Sequence, residues 1–102
     1  MHSRKEQVDQ LLINAEQALN FLRTVLDDLI LKQEVYNPKI QEEIIVAQIA
    51  YKKHKAVLMN IRNLLEKRQF DLPQALSAGL SNSLRIRIKS IIERAIELDR
   101  LR

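Results

Sequence analysis

The run Glu43-Ile44-Ile45-Val46-Ala47-Gln48-Ile49-Ala50-Tyr51 constrains this chain more than any other. On a helical wheel of about 100° per residue, Ile44, Ala47 and Tyr51 fall near the direction of Ile40, while Ile45 and Ile49 fall nearly opposite. A helix that is apolar on two opposed sides has to be covered on both. One side packs within the chain, and the other asks for a second cover.

The rest of the sequence also reads as helix. Among 102 residues there are one glycine, two prolines and four aromatics (Phe21, Tyr36, Tyr51, Phe70), set in a background rich in Leu, Ile, Ala, Glu, Lys, Arg and Gln. That is helix-forming material with few places to turn. Ser3 and Glu6 make a Ser-x-x-Glu capping box before Val8. Val8, Leu12, Ala15, Leu19, Leu22, Leu26 and Leu29 then recur at alternating steps of four and three, widened by Leu11, Ala18 and Val25. Such a stripe is the seam of a bundle or coiled coil. Leu31 and Val35 lie on its far side.

Tyr36-Asn37-Pro38 is the first break. Pro38 suits a first helical position, Asn37 can cap the helix that follows, and Glu42 and Glu43 fall in its early turns. The second stripe is Ile40, Ile44, Ala47, Tyr51, His54, Leu58, Ile61 and Leu65, supported by Val46, Ala50, Val57 and Leu64. A connection this short makes the two long helices, each of about 45 Å, antiparallel.

Asp71-Leu72-Pro73 is the second break, with Asp71 as a cap for a short helix. Gly79 stands where a helix stop favours a left-handed residue, and Ser81, Asn82 and Ser83 can cap a last helix carrying Leu84, Ile88, Ile91, Ala95 and Leu98. The chain then ends in a frayed basic turn at Arg102. Leu84 to Ile88 alternates as the strand of a ribbon-helix-helix protein would, but the four-three spacing runs on to Leu98 and favours helix. The expected architecture is one all-α domain, 1–102, with helices over about 4–35, 38–70, 72–78 and 82–101. It is an antiparallel long hairpin with a short helix and a third long helix packed back on it, a three- or four-helix bundle that associates further.

Composition removes several chemistries. Without cysteine there is no disulfide, thiolate zinc site, iron–sulfur cluster or thiol nucleophile. No apolar run approaches the roughly 18 residues of a membrane span, so the chain reads as a soluble, cytoplasmic, unprocessed protein. The net charge of +4 is uneven: residues 1–36 carry −2, and 37–72 and 73–102 carry +3 each. A basic remainder tolerates anionic partners without requiring them.

His54 lies on the apolar stripe of the second helix with Tyr51 three before it and Leu58 four after, so no Glu-x-x-His ligand pair forms. Lys55 is adjacent, but Ala56, Val57 and Leu58 follow where a phosphotransfer histidine would have a lysine and a glycine close after it. A seam histidine hydrogen-bonded to a neighbour is the plainer reading. Asp27-Asp28 and Glu42-Glu43 diverge by about 100° and converge on nothing. No catalytic, cofactor-binding or metal residue and no small-molecule substrate are predicted, and the chain is expected not to be an enzyme.

Three roles remain. The first is a protein–protein interaction module, a small adaptor, scaffold or regulatory subunit. It would associate through Leu31, Val35, Ile45 and Ile49, which lie off the main stripes near the first turn. Its partner would be a second copy, most simply as a dimer, or another helical protein. The competing expectation is that the last helix covers these residues through Ile86, Ile92 or Ile96. The second role is a small basic regulator touching nucleic acid through Lys52, Lys55, Arg62, Arg85 and Lys89. Pro73 to Ile88 superficially resembles a helix-turn-helix, but Gln74 and Arg85 stand where that motif has apolar core residues. The third is an immunity- or antitoxin-like sequestering protein, since bacteriocin immunity proteins are similar in size and basicity.

Overall fold

The computed structural model describes residues 4–32, 37–67 and 73–102. They form three helices, α1 (Arg4–Lys32), α2 (Pro38–Lys67) and α3 (Gln74–Asp99), with no strand among the described residues. The chain is an all-α helical bundle. All seven members of the α1 stripe, from Val8 to Leu29, are buried, as are Ala18 and Val25 beside it. Among the described residues, nine of the eighteen buried apolar side chains come from α1, so α1 is the element on which the other two pack. Burying each such Leu or Val removes apolar surface worth about 1.5–3 kcal/mol. α1 packs most extensively on α3, less on α2, and α2 and α3 touch each other least.

α2 starts where the sequence predicts. The Asn37 Oδ1 accepts the backbone N–H groups of Lys39 at 3.0 Å and Ile40 at 3.4 Å, and the Asn37 carbonyl accepts Gln41 N–H at 3.0 Å. Two donors that the first turn would leave unpaired are thereby satisfied, and Pro38 brings none of its own. The Ser3 cap, Tyr36, the 68–70 end of the second helix and the Asp71 cap lie outside the described residues.

The expected stop at Gly79 is absent. A single helix runs from Gln74 through Gly79 to Asp99, joining the two predicted helices, 72–78 and 82–101, into one. Gly79 does not have a positive φ, so it keeps ordinary helical geometry and does not end the helix. Ser81, Asn82 and Ser83 are interior residues of α3 and not caps. The physical reason lies in packing. Leu76, Leu80 and Leu84 continue the inward stripe across the glycine, and their burial outweighs the roughly 1 kcal/mol that glycine costs inside a helix. Ser77 and Ser81 are drawn into the interior with them, and the Ser77 hydroxyl is buried without a hydrogen-bond partner.

The last turn is pinned where fraying was expected. The Arg102 guanidinium donates to Asp28 Oδ2 at 3.0 Å and to Asp99 Oδ1 at 2.6 Å. The Asp28 bond places the ends of α1 and α3 side by side, so these helices run parallel and α2 runs antiparallel to both. The Arg102 hydrogen bond also holds the Asp28 carboxyl below its ordinary value. The bundle measures 52 × 23 × 17 Å, and its radius of gyration of 16.0 Å exceeds the ~13 Å of a compact domain of this length. It is a thin rod, and each helix keeps one face to the outside. No helix among the described residues is long and apolar enough to cross a membrane.

Candidate association surface

α2 is apolar on two sides, as its sequence requires. Ile44, Ala47, His54, Leu58, Ile61 and Leu65 face inward and are buried. Ile45 and Ile49 lie on the back of the helix, 53% and 62% exposed. Pro38, Glu42, Lys52 and Ala56 share that back and are exposed too. Leu31, in the last turn of α1, is 84% exposed, while Val35 lies outside the described residues.

The third helix does not cover Leu31, Ile45 or Ile49. Ile86, Ile92 and Ile96, which the competing expectation made their cover, are themselves exposed, Ile86 by 71%. α3 instead spends its inward face, Leu84, Ile91, Ala95 and Leu98, on the common core. It meets α2 through charged side chains, with Arg94 4.0 Å from Glu43 and Arg87 against His54. One helix has one inward face, and the back of α2 points away from it.

The cations proposed for nucleic acid are not gathered on one surface. Arg62 turns to α1 and forms an ion pair with Glu16, whose hydrogen bond raises the Arg62 pKa above its ordinary value. Lys55 sits over the Tyr51 ring, 5.9 Å from its centroid, and Lys52 projects from the back of α2. On α3, Lys89 pairs with Glu93 at 3.9 Å. Arg85 joins Gln7, Gln74, Ser77, Ser81 and Asn82 around a groove of about 290 Å³ between the first halves of α1 and α3. Sequence reasoning missed this groove because it placed a helix break at Gly79, in the middle of that wall. Phe21 and Met59 were also overlooked. Both are exposed and apolar, and both stand off the four-three stripes.

His54 is buried at the α2–α3 seam, and its Nδ1 lies 2.9 Å from Nη1 of Arg87. A guanidinium only donates, so Nδ1 accepts, and the ring carries its proton on Nε2. Burial first, then the charges of Arg87 and Lys53, hold the His54 pKa below its ordinary value. The Arg87 Nε is buried with no partner, which leaves this polar contact incompletely satisfied. Among the described residues no three His, Cys, Asp or Glu side chains are placed to hold a metal ion.

Fold and surface together define a small helical bundle with an uncovered apolar helix back. No protein-family model, curated protein or solved structure matches this chain. Its function is therefore argued from its own residues.

Proposed function

We propose that this protein is a non-enzymatic protein–protein interaction module, a small adaptor, scaffold or regulatory subunit, which associates with itself. The observation that carries the reading is the exposure of Ile45 and Ile49 on the back of a helix whose front is fully used in the core. Two β-branched aliphatic side chains one turn apart, left in water, gain free energy when a second apolar face meets them. Leu31 is a further exposed apolar side chain, in the last turn of α1. The nucleic-acid alternative has less support, because Arg62 and Lys89 are committed to Glu16 and Glu93 and the remaining cations are divided between α2 and α3.

Light scattering or sedimentation on the purified chain at tens of micromolar tests the proposal. The expected mass is twice the 11.9 kDa of one chain, and an Ile45→Glu, Ile49→Glu variant is expected to remain helical and return to one chain. A wild type that is monomeric at that concentration overturns the reading.

A further inference from the structure

The back of α2 carries more than two isoleucines. Pro38, Glu42, Ile45, Ile49, Lys52 and Ala56 are all exposed and follow one another at steps of four, three, four, three and four. On a wheel of about 100° per residue they share a sector of about 80°, opposite the buried stripe of the same helix. They form a second seam, about 27 Å long at 1.5 Å per residue. The order of side chains along it reads the same from either end if acid is exchanged for base: small, charged, isoleucine, isoleucine, charged, small.

Resting on the association proposed above, we infer that the partner is a second copy of this chain, packed α2 against α2 in antiparallel fashion about a two-fold axis passing between Ile45 and Ile49. Reversal of direction maps the alternating steps onto themselves. Ile45 then meets Ile49 of the second copy, Pro38 meets its Ala56, and Glu42 meets its Lys52. The two-fold axis makes each of these contacts twice. The isoleucines form the apolar centre of the seam, the opposite charges close it on both sides, and the small residues at its ends let the helices approach. Neither Glu42 nor Lys52 has an ion-pair partner among the described residues, so both are available for this contact. Parallel pairing of the same faces would set Glu42 against Glu42 and Lys52 against Lys52. Like charges disfavour it and select the antiparallel register.

Charge reversal tests the register separately from association itself. Glu42→Lys faces lysine with lysine at both ends of the seam, and Lys52→Glu faces glutamate with glutamate. Each is expected to raise the dimer dissociation constant by roughly tenfold or more, an effect that shrinks as salt is added. The double variant Glu42→Lys, Lys52→Glu is expected to recover wild-type assembly. An equimolar mixture of the two single variants is expected to form a heterodimer more readily than either forms a homodimer. Weakening by the single reversals reports that residues 42 and 52 meet across the axis, because in a parallel pair each reversal would only exchange one like-charged pair for another, and circular dichroism confirms that each variant is folded. A wild-type dimer that Ile49→Glu weakens but neither reversal does would overturn the register and leave the association standing. A monomeric wild type would overturn both.

Discussion

Gly79→Ala is expected to stabilise this protein, contrary to what a glycine at a helix stop would imply. Gly79 lies within α3 without a positive φ, and a Cβ built on it meets nothing within 4 Å. The new methyl therefore neither clashes nor gains a packing contact, and the effect reduces to the backbone. Alanine exceeds glycine in a helix interior by about 0.8–1.0 kcal/mol, chiefly because the unfolded glycine chain has more freedom to lose. With an unfolding entropy of about 2.1 cal/mol/K per residue over 102 residues, roughly 0.2 kcal/mol per degree, the gain corresponds to a rise in Tm of about 4–5 °C. Urea and thermal unfolding of both proteins, at one protein concentration so that self-association does not enter the difference, measure it. A loss of 1 kcal/mol or more would refute the reasoning. It would mean that residue 79 adopts a left-handed conformation, which alanine resists, and that α3 is two helices.

Asn37→Ala removes the acceptor for the Lys39 and Ile40 N–H groups and is expected to cost about 1 kcal/mol in urea unfolding, with Asn37→Asp close to wild type. His54 is expected to titrate below 6.5 in the folded protein, as followed by NMR of its ring protons. Because its folded value is depressed, the unfolded chain takes up the proton first as pH falls. The stability from the neutral ring is complete above about 6.5 and is lost as pH drops through the folded value. His54→Leu is expected to flatten stability against pH in that window, and Arg87→Met to raise the His54 pKa only in part, because burial is the larger cause.

The inward faces were readable from spacing alone, because a side chain every three or four residues on one side of a helix has no other use in a chain this apolar. Val8 to Leu29 and Leu84 to Leu98 are buried or nearly so throughout. Asn37 was legible as a cap because its short side chain reaches back to the backbone it precedes. Gly79 misled because glycine permits a helix stop without imposing one. The decision belonged to Leu76, Leu80 and Leu84, whose contacts across to α1 are not local. The Arg102 bond to Asp28 and the Arg62 pair with Glu16 were invisible for the same reason, since each joins helices whose rotation a single sequence does not give. The opposed placement of Ile45 and Ile49 was legible from local periodicity, whereas their exposure depended on where α3 came to rest.

The most extensive packing in the bundle joins its first helix to its last. During synthesis, residues 4–67 emerge while the α1 stripe still lacks its main covering, so the nascent hairpin carries uncovered leucines until residues 74–99 arrive. The oily flank of the emerging hairpin is thus a hazard of timing, open to chaperones and to aggregation for as long as the final quarter of the domain remains in the ribosome.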